Sequence, residues 1–454
     1  MKVCVAGSHS TDLVSDYYIR TKPGYGRTES RMTVDFGELT RSLSPLDTDL
    51  AGLAAGLFKC ESLLNDGAIE LDEDLTFVVC QRDLGRPGVG QALSDIVSFT
   101  MHRRPTVRIR ISPEKCKDEH EEAGKALRSV CLFSGGIDSL SGILSIPSSI
   151  RPTGGAFVSH DRMAPLVRRA QDQILTERGI AVHKIVIQRG HRGFQQMRGF
   201  TYLIMGAIMA KIHRTNNIVI SETGQTMFLP PIAALDEVTV TTHPTLLEVT
   251  KSLLRDVYGI GFNVIEPFSD LTKAEVVSLC EAKSAIPFTN SCITTRFASQ
   301  TYTHCGKCFG CLVRRAGCLV AGAQDANYAK DVFARPVGDA VMGNWPGRFI
   351  QRKDVAELQA LLRFSRDAIE GELDEEASMK ISLFSKEDLF RRAALDVFSA
   401  LYLLYDRTKQ GHSDVVRRFY EECKKDGLVT SDIAENRISE VREHKYKPDF
   451  TTML

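Results

Sequence analysis

The six residues from Ser134 to Ser139 are of the types that bind phosphate. They read Ser-Gly-Gly-Ile-Asp-Ser and follow the apolar run Val130–Phe133, so the sequence predicts a buried strand, a glycine turn and a helix start. A helix start offers unpaired N–H groups and the positive end of a dipole, and adjacent glycines let the backbone approach an anion. With two serine hydroxyls, the turn predicts a cradle for phosphate. The alternative is an ordinary strand-to-helix turn, in which these residue types are common.

Four cysteines have the spacing of metal ligands. Cys305, Cys308 and Cys311 follow one another at two-residue gaps, and Cys292 lies a short loop upstream. Four thiolates suit tetrahedral Zn²⁺ and leave no open position, so a structural zinc site is predicted. The alternatives are an iron–sulfur cluster, a redox pair of Cys305 and Cys308, and chance clustering. His304 is a second candidate for the fourth ligand, but it adjoins Cys305 and would strain to reach the same ion.

Two cationic residues lie at predicted helix starts. Arg198 precedes an apolar helix predicted at 202–212, and Lys273 follows Thr272, which forms a capping box with Glu275. A lysine in the first turn opposes the helix dipole, which favours a functional reason for Lys273. The alternatives are a surface arginine and a solvated lysine.

Strands alternate with helices between residues 123 and 325, which predicts an α/β fold with a mostly parallel sheet covered on both faces. In such sheets ligands bind at the carboxyl ends of the strands. The glycine loop lies at one such end, and Ser221–Gly224 lies at another. Within that segment, Glu222 and Gly224 are candidate ligand-binding residues. The carboxylate of Glu222 is suited to accept hydrogen bonds from the donor edge of a guanine-like ring. The alternative is that Glu222 only marks the end of a strand.

The flanking regions carry no recognisable chemistry. Residues 1–122 predict an N-terminal α+β accessory domain, joined by a charged linker at 115–125. Residues 326–454 predict a C-terminal helical region, in which a long helix at 389–405 is expected to be capped by Ser385.

Charge and hydropathy exclude several classes of protein. Among 454 residues, Lys plus Arg (57) equals Asp plus Glu (57), so no global field attracts nucleic acid or an anionic membrane. The start of the chain lacks the apolar core of a signal peptide, and the apolar stretch at 202–210 is too short to span a bilayer. The twelve cysteines then argue against a disulfide framework. A soluble, cytoplasmic protein is expected.

The motif Ser-Gly-Gly-x-Asp-Ser resembles the PP-loop of the ATP pyrophosphatases, which cut ATP between the α and β phosphates. Together with Thr272–Glu275 and the cysteine cluster, it makes roughly residues 128–325 resemble the 7-cyano-7-deazaguanine synthase (QueC) family. A longer, QueC-like form from bacterial antiphage defence (QatC-like) is resembled more closely still. This resemblance lies in the two flanking regions and in the runs Thr242–Pro244 and His304–Cys308. The resemblance implies a PP-loop (HUP-like) fold with a zinc knuckle.

The resemblance also implies a reaction. A 7-carboxy-7-deazaguanine carboxylate is adenylated with ATP and Mg²⁺, and an amine then attacks; the acceptor is ammonia or an amine on a protein partner from the same operon. Asp138 is implied to hold Mg²⁺ or cap the helix, and Arg198 and Lys273 to clamp phosphate. The implied nucleotide-binding residues of the loop are Ser134, Gly135, Gly136, Ile137 and Ser139, and all of them except Ile137 are implied to hold the pyrophosphate.

The sequence departs from the biosynthetic family at two places. Phe157–Arg162 replaces an aromatic, acidic and glycine-containing stretch, and the segment before the apolar helix lacks Pro-Gly-Arg-Asn. These departures leave the substrate and acceptor open. Three alternatives follow: a queuosine-pathway synthase that makes the nitrile preQ0, a tRNA-modifying PP-loop enzyme, and a nucleotide-binding scaffold without catalysis. The neutral charge is against a tRNA substrate.

Overall fold

A ten-stranded sheet forms the centre of the part of the chain that the structure describes. The computed structural model describes residues 3–8, 14–20, 29–65, 75–79, 81–101, 106–111, 126–145, 154–160, 172–188, 196–229, 241–292, 304–335, 355–448 and 450. The strands are β1 (Val3–Ser8), β2 (Val14–Arg20), β3 (Glu29–Asp35), β4 (Leu75–Val79), β5 (Val107–Ile111), β6 (Val130–Leu132), β7 (Gly154–His160), β8 (Ala181–Gln188), β9 (Asn217–Ile220) and β10 (Asn263–Ile265).

Five neighbouring strands of the middle region are parallel, in the order β10, β9, β6, β7, β8. All three residues of β6 are buried, as is usual for a parallel strand covered on both faces. After β8 the chain returns to place β9 on the other side of β6. The carboxyl ends of β6 and β9 therefore flank a topological switch point, where open α/β sheets bind ligands. The prediction of a mostly parallel sheet in this region is confirmed.

The N-terminal strands continue the same sheet. β3 pairs antiparallel with β8 and with β2, and β2 pairs antiparallel with β1. β1, β4 and β5 are then parallel to one another. The sequence did not indicate this continuity, because it arises from pairing between strands far apart in the chain. The domain boundaries at residues 122 and 325 therefore remain predictions.

Helices pack on both the sheet and one another. They are α1 (Pro45–Asn65), α2 (Pro87–Met101), α3 (Ile137–Ser145), α4 (Arg198–Ile212), α5 (Gly224–Met227), α6 (Pro244–Tyr258), α7 (Lys273–Leu279), α8 (Phe309–Ala321), α9 (Ala356–Glu370), α10 (Glu375–Leu383), α11 (Glu387–Tyr402), α12 (Asp414–Lys425) and α13 (Ser431–Arg442). A helical segment at 172–177 and short 3₁₀ turns at Gly37–Ser42, Arg82–Gly85 and Lys283–Phe288 complete the set within these ranges. Helix α4 is buried over most of its length between the strands and helices α1 and α6.

The C-terminal helices gather around α7 and α8. Helix α11 packs against α8, α9 and α13, and α13 packs against both α7 and α8. The predicted helix at 389–405 is confirmed, although its last turn, Leu403–Arg407, is π-helical. The predicted cap is wrong: Lys386 occupies the cap position without a side-chain hydrogen bond, and Ser385 has a left-handed backbone (φ 51°).

None of the helices within the described ranges combines the length and apolarity needed to cross a bilayer. The predicted linker at 115–125 and the end of the departure at Phe157–Arg162 lie outside those ranges.

Candidate functional site

The glycine loop connects β6 to α3 at the switch point. Gly135 has φ 76°, a left-handed conformation that glycine adopts without strain. The Ser139 hydroxyl donates to the Gly136 carbonyl at 3.0 Å and lies 3.3 Å from the Ser134 hydroxyl. The Gly136 N–H lies 3.4 Å from the Ser134 hydroxyl. Two hydroxyls, a glycine backbone and the first turn of α3, which begins at Ile137, therefore lie together.

An ion pair joins the loop to α7. Lys273 Nζ contacts Asp138 Oδ2, and each side chain is only about 10 % exposed. The other oxygen, Asp138 Oδ1, is buried and receives no hydrogen bond from a described residue. The sequence left Lys273 with no evident counter-charge; the structure supplies it from a residue far away in the chain.

Glu222 forms an acidic pair with Asp138. It follows β9 and is partly buried. Burial and the negative charge of Asp138 raise the pKa of Glu222 from 4.5 to about 7, and the charges of Lys273 and Arg198 only partly offset this. A protonated Glu222 avoids repulsion with Asp138, whereas two ionised carboxylates so close together need a cation between or beside them.

The turn after β9 is tied to the start of α7. The N–H of Gly224 donates to Phe268 O at 2.8 Å, and a Cβ at Gly224 would lie 2.0 Å from Ser269 O. The close approach lets Gln225 accept the N–H of Lys273 at 3.1 Å. Gly224 thus holds backbones together, and its N–H already has a partner.

Helix α4 presents Arg198 at its first position, and its charge acts on Glu222. Gly199 allows this helix start to lie against the backbone of Thr241, since a Cβ there would lie 1.3 Å from Thr241 O. The structure thereby brings Arg198, Glu222, Asp138 and Lys273, which are separated in sequence, to one end of the sheet.

The four cysteines converge as the spacing predicts. Their sulfurs all lie within 4.8 Å of one another and are buried. The Sγ–Sγ distances are 3.8 Å for Cys305 and Cys311 and 3.4 Å for Cys308 and Cys311. Four sulfurs about 2.3 Å from a tetrahedral Zn²⁺ lie about 3.8 Å apart, so the cluster has the size of a zinc site.

The thiols also show why a metal fits. Hydrogen bonds from Cys292, Cys308 and Cys311 lower the pKa of Cys305. The hydrogen bond with Cys292 raises the pKa of Cys308, and burial raises that of Cys311. Without a cation, one thiolate suppresses ionisation of its neighbours; a divalent ion allows all four sulfurs to be thiolates. The donor set therefore fits Zn²⁺.

His304 supports the cluster from outside. It is fully buried, and its Nε2 accepts the N–H of Ser291 at 3.0 Å, so that nitrogen is already bonded. Burial and the charge of Arg314 lower the pKa of His304 to about 3, which keeps the imidazole neutral. The group of ligand atoms found in the described residues consists of the four cysteines without His304.

The segment Thr289–Cys292 connects the cysteine cluster to the glycine loop. The N–H of Asn290 donates to Gly135 O at 2.9 Å, and the Asn290 side chain accepts the N–H of Cys292 at 3.1 Å. Arg314, which is fully buried, holds the same segment through Thr289 Oγ1 at 2.6 Å. The residues that shape the loop and the four-cysteine cluster are thus joined by one chain of hydrogen bonds.

Sequence reasoning missed Asn290, Gln225 and Arg314. Each makes its contact with residues distant in the chain or through the backbone, so no local spacing marks it. The family resemblance spans roughly residues 128–325, which include all three, but it assigned none of them a role.

Part of the chain matches a known protein family. Residues 164–322 match the family described as queuosine biosynthesis protein QueC. The matched part contains Arg198, Glu222, Lys273 and the four cysteines, whereas the glycine loop precedes it. A comparison with curated proteins gave no match. The match supports a QueC-like family and with it an ATP-using enzyme of the PP-loop type.

Proposed function

We propose that this protein is an ATP-dependent ligase that adenylates a 7-carboxy-7-deazaguanine-type carboxylate and joins it to an amine. The observation that carries the proposal is the meeting of the glycine loop, the pair Asp138–Glu222 and Lys273 at the switch point of the sheet. The family match to residues 164–322 supports the substrate class.

In the first step, an oxygen of the substrate carboxylate attacks the α-phosphorus of ATP. The bond from that phosphorus to the α–β bridging oxygen breaks, and pyrophosphate leaves with the electron pair. Ser134, Ser139 and the N–H groups of Gly136 and Ile137 hold the leaving group. Arg198 and Lys273 supply positive charge that stabilises the negative charge growing on it.

Asp138 and Glu222 fit a divalent cation. Asp138 Oδ1 is a buried acceptor with no hydrogen-bond donor among the described residues, and Glu222 adds a second carboxylate beside it. Hard oxygen ligands of this kind, with phosphate oxygens, are what Mg²⁺ prefers. Mg²⁺ there supplies positive charge to the phosphates. Asp138 and Glu222 hold it, while Lys273 keeps Asp138 oriented through Oδ2.

In the second step, an amine attacks the acyl carbon of the acyl-adenylate. The new C–N bond forms, the bond to the phosphate oxygen breaks, AMP leaves, and the amine proton passes to solvent. The acceptor is an amine on a protein partner, or ammonia, and a role in bacterial antiphage defence would fit a partner protein. The four cysteines hold Zn²⁺ as a structural ion, and the cytoplasm supplies both ATP and reducing conditions for them.

The test is pyrophosphate release from ATP and Mg²⁺, with and without 7-carboxy-7-deazaguanine. We expect substrate-dependent release that Asp138→Asn reduces by about 100-fold or more, the scale of losing one preorganised electrostatic contact. Asp95→Asn, on an exposed carboxylate bonded to Gln91, is the matched control and should release at the parent rate. Folded, zinc-loaded protein that releases no pyrophosphate with either amine class present would refute the proposal.

The product distinguishes the acceptors. With ammonia alone, mass spectrometry should find the amide of the deazaguanine. A product lighter than this amide by one water would instead indicate the nitrile of the queuosine pathway. With operon partners present, a protein carrying the added deazaguanine mass would identify the partner amine. Salt-sensitive binding of tRNA would favour the tRNA-modifying alternative.

A further inference from the structure

Two buried arginines from the C-terminal helices hold the start of α7. Arg392 of α11 and Arg437 of α13 both bond the carboxylate of Glu275, and the Arg437 bond measures 2.7 Å. Glu275 is 1 % exposed, Arg437 1 % and Arg392 7 %. The same carboxylate completes the predicted capping box, which the structure confirms, by accepting the N–H of Thr272 at 2.9 Å.

The two arginines reach the residues on both sides of Lys273. Arg392 Nη2 donates to the carbonyl of Asp270 at 2.9 Å, and Arg437 Nη2 lies 3.3 Å from the Thr272 hydroxyl. On the other side, Gln225 holds the N–H of Lys273 itself. The backbone that carries Lys273 is therefore fixed at positions 270, 272, 273 and 275, three of which are held by side chains of the C-terminal region.

The network is balanced in charge. Arg437 also bonds Asp396 at 2.8 Å, so two guanidinium groups face two buried carboxylates. The ring of Tyr446 covers the Arg392 guanidinium at 4.2 Å from its centroid. Burial alone would lower the pKa of Arg437, but Asp396 and Glu275 raise it, so the arginine stays charged. Asp396 Oδ2 and Arg437 Nη1 are buried without a hydrogen-bond partner among the described residues, but the other polar contacts of this network join α7, α11 and α13, and such buried networks rigidify the elements they join.

We propose that Arg392 and Arg437 are positioning residues for Lys273, so that the C-terminal helical region is an integral part of the phosphate site. This inference rests on the proposed function, because Lys273 is the cation assigned to the phosphates. A lysine side chain is flexible, so the position of its ammonium group depends on where its backbone is held. A displacement of about 1 Å at a reacting centre can cost about 100-fold in rate.

The test is a double-mutant cycle of Arg392→Lys and Lys273→Met in the full-length protein. Arg392→Lys keeps a positive charge beside Glu275. It loses the forked guanidinium group, whose second nitrogen also donates to the carbonyl of Asp270. We expect it to lower the rate of pyrophosphate release about 10- to 100-fold, with the affinity for MgATP changed far less. In the Lys273→Met background, the same substitution should change the rate by less than about 3-fold. Arg366→Lys, in an ion pair with Glu370 and Asp426 away from α7, is the matched control.

The outcomes separate this inference from the proposed function. Independent, additive losses in the cycle would overturn the positioning role and leave the arginines structural. Absence of MgATP binding by the parent protein, measured by calorimetry with a non-hydrolysable analogue, would overturn the proposed function and this inference with it. Should Arg392→Lys lack a cooperative melt, Asp388→Asn serves instead, since it removes an exposed partner of Arg392 Nε. If Asp388→Asn changed the rate by the same factor with Lys273 and with Lys273→Met, the inference would be overturned.

Discussion

Asp138, Glu222 and Lys273 form a group whose charges depend on one another. Lys273 neutralises one carboxylate through a direct ion pair, whereas no described residue forms such an ion pair with the second carboxylate, Glu222. Burial raises the pKa of Glu222 most, and this charge imbalance with Asp138 raises it further. A divalent cation removes it, because both carboxylates can then ionise. The charge state of Glu222 should therefore report on whether the ion is bound.

The pH dependence of stability tests this pair. The folded protein holds a proton on Glu222 at pH values between 4.5 and about 7, where the unfolded chain has already released it, so stability falls as pH rises through that window. Without divalent cations, the free energy of unfolding should fall by up to about 3 kcal/mol more in the parent than in Glu222→Gln. Urea denaturation at pH 5, 6, 7 and 8 measures the difference. Parallel curves for the two proteins would contradict the raised pKa.

The ion pair between Lys273 and Asp138 should have separable effects on stability and activity. Lys273→Met leaves a buried carboxylate unpaired, which costs about 3–5 kcal/mol for pairs of this kind. Adding Asp138→Asn removes the charge and should restore most of that stability. Pyrophosphate release should stay low in the double variant, because both groups of the proposed phosphate site are gone. Recovered activity in the double variant would show that the pair is only structural.

At the scale of elements, the sequence predicted what local patterns determine. The glycine turn, the capping box of Thr272 and Glu275, and the strands of the middle region are set by neighbouring residues, and the structure has them. Cys292 was found because thiol spacing limits what can bind zinc. The cap at Ser385 was wrong, since Ser385 lies outside α11 in a left-handed conformation.

The rest of the site depends on contacts between distant elements. Gln225 reaches Lys273, and Arg437 reaches Glu275, only because helices far apart in sequence pack together. A buried arginine has no sequence signature that separates it from a surface arginine. Tertiary packing therefore determines which charges of this chain meet.

The link from the cysteine cluster to the loop predicts a consequence of metal loss. Cys305→Ser should lower the metal content and loosen Thr289–Cys292, which holds Gly135 through Asn290. We expect at least about tenfold weaker MgATP binding, the scale of losing a support to a ligand site, together with a lower melting temperature. Elemental analysis and calorimetry measure the two effects. Cys318→Ser, a buried thiol outside the metal group, is the control, and equal nucleotide affinity in both variants would contradict the link.

At the scale of the whole molecule, both flanking regions support cations of the site. The C-terminal arginines hold the helix of Lys273, and the N-terminal region holds the helix of Arg198. Helix α1 packs along α4, and the Thr201 hydroxyl lies 3.4 Å from Ala54 O. One hydrophobic core continues through all three regions. The flanks thus pack into the same core as the elements that carry the candidate site.

Glu61 of α1 makes this argument testable. Its buried carboxylate accepts the N–H groups of Gln196 at 2.5 Å and Met197 at 3.1 Å, directly before Arg198. A carboxylate at this end of α4 satisfies unpaired donors and favours the helix dipole. Glu61→Gln keeps the shape but loses the charge, so we expect the free energy of unfolding to fall by about 1–3 kcal/mol, as for hydrogen bonds to charged groups.

If Arg198 acts on phosphate, the same variant should also weaken MgATP binding, because the helix start that carries the arginine is less firmly held. The binding loss should disappear when Glu61→Gln is combined with Arg198→Met, since no cation is then left to misplace. Glu177→Gln, on an exposed residue bonded to Gln173, is the control for the substitution itself. A stability loss with unchanged nucleotide affinity would assign Glu61 to folding alone, and Arg198 would then have to be held at the phosphates by other contacts.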